Sequence, residues 1–224
     1  MWCGAPQNDA PVSLTRGRFI TLEGGEGAGK STQVRLLAES LRAAGIDAIA
    51  TREPGGAPGA EQIRNLLVDG EVSRWDPMTE ALLHSAARRE HFVNTLRPAL
   101  ESGKWVVSDR FADSTVAYQG YGLGLGAETV AALNRIVIGD FSPDLTVILD
   151  LPAEEGLKRA HERGDGAQRY ERMGLAFHEK LRQGFFEIAR REPKRCVVID
   201  ASAAIAEVAA KIRGVVRAKL KADI

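Results

Sequence analysis

One eight-residue segment, 24–31, limits most strongly how this chain can fold: it reads Gly-Gly-Glu-Gly-Ala-Gly-Lys-Ser. An apolar run, 19–22, precedes it, and apolar residues at helical spacing, 33–44, follow it. A glycine-rich loop between a strand and a helix points successive backbone N–H groups inward, and the helix N-terminus adds its positive dipole. The segment therefore predicts a polyphosphate-binding loop. The alternative is an ordinary glycine-rich turn, but such a turn needs neither a strand before it nor a helix after it.

Four further apolar runs have the length of buried strands, at 48–51, 105–107, 145–149 and 196–199. Segments with helical spacing lie between them, at 60–68, 78–100, 128–138, 153–162, 175–191 and 205–220. Strands that alternate with helices predict an α/β protein with a five-stranded parallel sheet and helices on both faces, the P-loop NTPase fold. We expect one domain, 18–224, after a mobile N-terminal tail, 1–17, which has proline and glycine but lacks apolar periodicity.

Charge and cysteine content exclude several classes of protein. Thirty basic side chains balance thirty acidic ones, so no uniform positive field favours nucleic acid or an anionic membrane as a partner. Cys3 and Cys196 lie too far apart for a disulfide framework or a zinc cluster. Apolar runs stay below the roughly 18 residues of a membrane span, and the N-terminus lacks the pattern of a signal peptide. We therefore expect the reducing cytoplasm.

The phosphate loop itself predicts a nucleoside triphosphate with magnesium. Lys30 can reach the β- and γ-phosphates, and the Ser31 hydroxyl can bind the Mg²⁺ ion that bridges them. The predicted ATP-binding residues in this segment are Gly24, Gly25, Glu26, Gly27, Ala28, Gly29, Lys30, Ser31 and Thr32.

Three more motifs follow predicted strands, where open α/β sheets bind ligands. They are Thr-Arg-Glu-Pro-Gly-Gly at 51–56, Ser-Asp-Arg at 108–110 and Ser-Thr-Val-Ala-Tyr-Gln-Gly at 114–120. Together with the phosphate loop, they resemble thymidylate kinase from about residue 18 to the last helix. The resemblance implies transfer of the γ-phosphate of ATP to dTMP, with ATP and Mg²⁺ as cofactors, no covalent enzyme intermediate, and a homodimer joined through helix faces.

The resemblance also implies how the acceptor phosphate is held. Arg110 and Arg64 match two phosphate-binding arginines of the family, and guanidinium groups bind phosphate in a bidentate manner. Asp109 matches the family's Asp-Arg pair and is the expected magnesium ligand with Ser31; Asp150 is the alternative carboxylate. Glu26 matches an acidic residue that accepts a hydrogen bond from the 3'-hydroxyl of dTMP.

For the base, Arg88 matches the arginine that contacts the thymine carbonyl, and Thr115 and Gln119 match residues that bind the pyrimidine edge. Tyr118 matches the aromatic residue beside the deoxyribose; packing of a helix start is the alternative for the segment 115–119. The resemblance also implies a cis bond between Glu53 and Pro54. The expected dTMP-binding residues are Glu26, Glu53, Pro54, Arg64, His84, Arg88, Arg110, Thr115, Tyr118 and Gln119.

Two positions depart from the family pattern. His84 stands where many relatives have a phenylalanine that stacks on thymine, and an ordinary imidazole pKa predicts pH-sensitive binding of the base; a role away from the base is the alternative. Gly27 stands where one class of relatives has an arginine, so we expect a basic group from the lid, 157–172. Arg169 is the expected catalytic arginine with Lys30, Asp109 and Arg110, and Arg163 is expected at ATP, with Arg159 as a further candidate.

Two other functions remain open at this point. A P-loop kinase for another small acceptor, such as a different nucleoside monophosphate, would share Lys30 but would not need Thr115 and Gln119. A nucleotide-dependent switch protein would not need two arginines for an acceptor anion, and the chain lacks a guanine-recognition motif of the Asn-Lys-x-Asp type.

Overall fold

The computed structural model describes residues 16–162 and 169–224. A five-stranded sheet with the strand order β2-β3-β1-β4-β5 forms the centre, and all its neighbouring strands run parallel. This confirms the predicted sheet. The strands are β1 (Phe19–Glu23), β2 (Ala48–Arg52), β3 (Trp105–Asp109), β4 (Leu145–Asp150) and β5 (Cys196–Asp200).

Helices cover both faces of the sheet. Against one face, α1 (Lys30–Ala43) and α9 (Ile205–Leu220) pack apolar side chains such as Leu37 and Ile212. The opposite face carries the other helices, and Phe185 lies there against Ile148 of β4. These other helices are α2 (Pro58–Val68), α3 (Pro77–His91), α4 (Arg97–Glu101), α5 (Ala112–Thr115), α6 (Ala127–Ile138), α7 (Ala153–Glu162) and α8 (Leu175–Arg191).

The predicted helix 78–100 is divided in the structure. Helix α3 starts at the Asp76 cap, whose side chain accepts hydrogen bonds from the backbone N–H groups of Met78 and Thr79. A π-helical segment, Phe92–Leu96, then separates α3 from α4. Pro98 has no N–H to donate to the carbonyl four residues earlier, so the regular helical ladder cannot continue through this point.

A short helical segment follows β3, in a part of the chain for which the sequence pattern predicted no helix. It consists of α5 and a π-helical turn, Val116–Gly122. These two pieces carry Thr115, Tyr118 and Gln119 to the carboxyl end of the sheet. The position of the segment, directly after a central strand, places its polar side chains beside the phosphate loop.

The start of the described chain is attached to the fold. Arg16 forms an ion pair with Asp144, and the backbone N–H of Gly17 donates to the Leu100 carbonyl. Residues 1–15 of the expected tail lie outside the described residues. Within the described ranges, every helix is too short or too polar to cross a membrane.

Candidate active site

A single cleft of about 670 Å³ opens at the carboxyl ends of β1, β2 and β3. Its volume is in the range of about 300–1,000 Å³ that is typical of small-molecule sites. Most of the residues expected from the sequence line it. They are Glu26, Gly27, Ala28, Gly29, Lys30, Ser31, Thr32, Glu53, Pro54, Arg64, His84, Arg88, Asp109, Arg110, Thr115, Tyr118 and Gln119. Gly24 and Gly25 instead line a small cavity behind the loop.

The phosphate loop holds its lysine in a buried position. The Lys30 Nζ donates to the carbonyl of Gly25 at 2.6 Å, across the turn of the loop. Burial, and then the charge of Arg110, lowers the pKa of Lys30 to about 8. A bound polyphosphate would place negative charge beside this buried ammonium group and would stabilise its charged form. The loop therefore favours a highly charged anion.

Gly27 is required by a close approach between two backbone segments. Its φ is +66°, and a Cβ built on it would lie 2.0 Å from the carbonyl oxygen of Gly156 in α7. An arginine could not occupy this position without moving α7. The packing of the loop against α7 therefore gives a steric reason for the glycine where one class of relatives has a basic residue.

Two oxygen donors lie next to each other beyond Lys30. The Ser31 hydroxyl donates to Asp109 Oδ2 at 2.5 Å. The alternative carboxylate, Asp150, accepts two hydrogen bonds from Arg182 at 2.7 and 2.9 Å instead. Mg²⁺ is usually held by one or two protein oxygens together with phosphates and water, so Ser31 and Asp109 suit this ion.

Arg110 lies opposite the lysine, in a left-handed backbone conformation with φ 70°. Its guanidinium donates to the Gly24 carbonyl at 3.0 Å and to Glu26 Oε1 at 2.9 Å. The Tyr118 hydroxyl donates to the same Oε1 at 2.6 Å. Burial alone would raise the pKa of Glu26, but the charges of Arg110 and Lys30 outweigh it and lower the pKa to about 2.

The Glu26 carboxylate is thus held by Arg110 and Tyr118. Arg64, the second expected arginine, donates to the carbonyl of Pro54 at 2.8 Å and lines the same side of the cleft. The bond between Glu53 and Pro54 is cis, as the resemblance predicted.

Arg88 is almost fully buried and is held from three directions. Its Nε donates to Glu53 at 2.9 Å, and its two terminal nitrogens donate to Asn134 and Thr115, both at 2.8 Å. His91 contacts the other Glu53 oxygen at 2.9 Å. Three of the five guanidinium N–H donors are used in this way, which leaves two for a ligand. Glu53 thus lines the cleft and also positions Arg88 there.

Gln119 lies beside this pocket with its side chain fully buried. Its Nε2 donates to Glu80 Oε1 at 2.7 Å. Among the described residues, its Oε1 has no hydrogen-bond partner. A buried amide oxygen without a partner costs free energy, so the site favours a ligand that donates a hydrogen bond here.

His84 lines the cleft but is tied to a tyrosine. Its Nε2 lies 2.9 Å from the hydroxyl of Tyr170, which itself donates to Glu80 at 2.9 Å. Burial, and then the charge of Arg88, lowers the pKa of His84 to about 3. The imidazole is therefore neutral throughout the physiological range, and the expectation of an ordinary imidazole pKa is wrong, because the ring is buried and several arginines surround it.

Arg169 lies away from the phosphate loop. Its side chain is fully buried, pairs with Glu80, and donates to the backbone carbonyls of Leu67, Glu71 and Val72. It is absent from the described lining of the cleft. In this arrangement Glu80 binds the guanidinium, and the contact of Arg169 with the transferring phosphate stays a prediction. Arg163 lies outside the described residues, whereas Arg159 lines the cleft.

Glu80 and Asn134 are site residues that the sequence analysis missed. The signal for Glu80 was present in α3, where Glu80, His84, Arg88 and His91 recur at helical spacing and form one polar stripe on a helix that packs against α2 and α6. Asn134 gave no comparable signal, since the α6 residues three and four positions away from it, Val130, Ala131, Val137 and Ile138, are apolar.

The strand order, the phosphate loop and a second cationic pocket in the same cleft define a P-loop kinase of the nucleoside monophosphate kinase type. Residues 22–212 match the family model described as thymidylate kinase. Thymidylate kinase of Caulobacter vibrioides is 60% identical over 207 residues, which are 92% of this chain and 99% of that protein. The chain belongs to the thymidylate kinase family.

Two further relatives agree with this assignment. Thymidylate kinase of Nitrobacter hamburgensis is 53% identical over 208 residues, covering 92% of this chain and 90% of that protein. The crystal structure of thymidylate kinase from Ehrlichia chaffeensis superposes with a TM-score of 0.72 at 38% identity, covering 90% of this chain and 99% of that one.

Proposed function

We propose that this chain is a dTMP kinase, which transfers the γ-phosphate of ATP in line to dTMP and releases ADP and dTDP. One observation carries the proposal: a continuous cleft joins the phosphate loop to a pocket in which Arg88, Thr115 and Gln119 meet. The loop suits a donor polyphosphate, and the pocket suits a small base with hydrogen-bonding groups on one edge.

At the donor end, backbone N–H groups of the loop and Lys30 would hold the β- and γ-phosphates of ATP. Ser31 and Asp109 would hold Mg²⁺, which when bound neutralises charge on the bridging phosphate oxygens. Lys30 would stabilise the transition state most, in which negative charge spreads over the transferring phosphoryl group, because its buried ammonium is already in position and need not reorganise. Arg159 of the lid, 157–172, would contact ATP from the same side, with Arg163 as a further candidate.

At the acceptor end, Arg110 and Arg64 would hold the phosphate of dTMP facing the γ-phosphate. Two anions repel each other, so both arginines reduce the cost of bringing them together. Glu26 uses Oε1 for Arg110 and Tyr118, and we propose that Oε2 accepts from the 3'-hydroxyl of dTMP.

The base would be recognised by complementary polarity. Thymine offers a carbonyl acceptor at C4 and an N–H donor at N3. Within the described part of the chain, Arg88 uses three of its five N–H groups, and the Gln119 Oε1 has no partner, so the pocket can donate to the carbonyl and accept from N3. Cytosine reverses both groups, so it would leave buried polar atoms unpaired.

A coupled assay across dTMP, dUMP, dCMP and dGMP, with ATP saturating, tests the function. We expect dTMP to have the highest kcat/KM and dUMP to be intermediate, since a lost methyl contact costs only about 1–3 kcal/mol. A purine monophosphate as the best acceptor would reject the proposal, and ATP hydrolysis without any acceptor dependence would favour the switch protein.

We propose that the enzyme is a homodimer that buries one face of α2, α3 and α6. The three helices pack side by side, and they expose large apolar side chains: Leu66 on α2, Met78 and Leu82 on α3, and Ile136 on α6. Ile136, which is 81% exposed, is the most exposed of the four, and apolar side chains grouped on one surface mark an interaction site. A second copy of the chain would cover these side chains.

Light scattering after size-exclusion chromatography tests the dimer. The parent should have twice the mass of one chain, and Ile136→Glu with Leu82→Glu should have the mass of one chain. The control is Ile205→Glu, which changes an exposed isoleucine on α9, outside this face. A single-chain mass for the parent would contradict the proposal.

We infer that the enzyme works in the cytoplasm. Cys196 is a free, buried thiol, and burial raises its pKa to about 12. Free cysteines are typical of proteins in reducing compartments, where disulfides are rare. Immunoblotting of cytoplasmic and membrane fractions tests this, and enrichment in the membrane fraction would contradict it.

A further inference from the structure

Glu80 is a fully buried carboxylate that binds side chains from two separate segments of the chain. Its Oε1 accepts from Gln119 Nε2 and from the Tyr170 hydroxyl, and its Oε2 accepts from Arg169. Gln119 belongs to the base pocket, whereas Arg169 and Tyr170 lie in the C-terminal part of the lid, 157–172. One side chain therefore joins the base pocket to the C-terminal end of the lid.

The carboxylate also determines which way the amide of Gln119 points. A carboxylate paired with an arginine only accepts hydrogen bonds, so the nitrogen of the amide must face Glu80. The amide oxygen is then left for the cleft, and it has no other partner among the described residues. Turning the amide over would place two acceptor oxygens against each other in a buried site, which is unfavourable.

We propose that Glu80 is a positioning residue for base selection, which holds Gln119 with its oxygen towards the base and thereby favours a pyrimidine with an N–H at position 3 over one with a bare nitrogen. This inference rests on the proposed function. Tyr170 and Arg169 support Glu80 from the lid side, since their hydrogen bonds to its two oxygens prevent it from rotating away. Glu80 itself acts through Gln119 and does not touch the base.

The test is Glu80→Gln, with kcat and KM measured for dTMP and dCMP. A glutamine at position 80 offers both a donor and an acceptor, so Gln119 can bind it in either orientation and can present an N–H to cytosine. We expect the KM for dTMP to rise, kcat to change less, and the ratio of kcat/KM for dTMP over dCMP to fall by about tenfold or more. Glu80→Asp keeps an acceptor-only group and should retain more of this ratio.

Glu39→Gln is the matched control, because Glu39 also pairs with an arginine, Arg35, but lies exposed on α1. It should leave the ratio unchanged. If Glu80→Gln lowers kcat/KM for dTMP and dCMP by the same factor, Glu80 has only a structural role and the inference fails. If Glu80→Gln does not fold, Tyr170→Phe, which removes one hydrogen bond that holds Glu80, is measured instead. The ratio should then fall, and an equal loss for both substrates would overturn the inference.

The parent enzyme separates this inference from the proposed function. A parent that does not prefer dTMP would reject the proposed function before any variant is compared. A parent that prefers dTMP, together with a Glu80→Gln variant of unchanged preference, would reject the role of Glu80 alone.

Discussion

The donor and acceptor ends of the cleft are built in different ways. The phosphate loop is one uninterrupted stretch of chain, 24–31, and presents mostly backbone groups and a single lysine. The acceptor pocket consists of side chains from separate elements: Glu53 after β2, Glu80 and Arg88 on α3, Thr115 and Gln119 after β3, and Asn134 on α6. Removing one side chain at the donor end should therefore reduce the rate of catalysis. Removing one at the acceptor end should reduce both the stability of the fold and the binding of the acceptor.

Lys30→Ala tests the donor end and should have the largest effect. We expect kcat to fall by about 10³-fold or more with an unchanged melting temperature, because Lys30 stabilises developing charge, and Arg110 and Tyr118 still bind the Glu26 carboxylate without it. Steady-state kinetics and thermal unfolding measure both quantities. Lys104→Ala, which breaks a surface ion pair with Asp47, is the control. Near-normal turnover in a folded Lys30→Ala variant would reject the role of the loop.

Arg88→Met tests the acceptor end through stability. It leaves the buried Glu53 carboxylate without its main partner, so we expect the free energy of unfolding to fall by about 3–5 kcal/mol. Urea unfolding measures this, and the neighbouring exposed Arg89→Met, which loses one hydrogen bond to the Val137 carbonyl, is the matched control. Equal losses of unfolding free energy in Arg88→Met and Arg89→Met would show that the acceptor-pocket arginine supports the fold no more than a surface arginine does.

Arg169→Ala distinguishes two roles for the same residue. If Arg169 supports Glu80, its loss should raise the KM for dTMP several-fold and lower kcat less; if it reached the phosphates during transfer, kcat would fall most. Kinetics with both substrates varied give the answer. Arg74→Ala, an exposed arginine that donates to the Asp69 carbonyl, is the control. A fall in kcat alone would return Arg169 to the catalytic group expected from the sequence.

The pKa of Lys30 predicts a pH dependence at the donor end. Lys30 carries its charge below its pKa of about 8 and loses it above, so kcat/KM for ATP should fall as the pH rises from 8 to 9.5. The profile of kcat should fall at higher pH, because bound phosphates stabilise the charged lysine. Lys30→Arg keeps its charge over this range, so its kcat/KM should be flat. Parallel profiles for parent and variant would contradict the assignment.

His84→Phe should have the smallest effect. Because the pKa of His84 is about 3, the imidazole does not titrate between pH 5.5 and 7.5. The KM for dTMP should therefore show the same pH profile in parent and variant and differ by only about twofold, for the lost contact with Tyr170. Convergence of the two profiles only at high pH would show that His84 is protonated near neutrality.

These differences explain how much the sequence could predict. The five strands and the phosphate loop follow from local periodicity and one contiguous motif, so both are predictable. The division of 78–100 depends on Pro98, which interrupts a pattern that otherwise continues. The partners of Glu80 could not be predicted, since Gln119 and Arg169 lie 39 and 89 residues away along the chain and only the fold brings them together.

The backbone of Arg110 has a consequence for how this enzyme can evolve. A residue with a Cβ at φ 70° costs about 1 kcal/mol relative to an ordinary conformation, and glycine avoids this cost. Arg110→Gly would relax the backbone, but it would remove the guanidinium proposed to hold the acceptor phosphate. Selection for stability and selection for activity therefore favour different residues at position 110. A lineage that keeps the arginine must gain thermal stability at other positions in the chain.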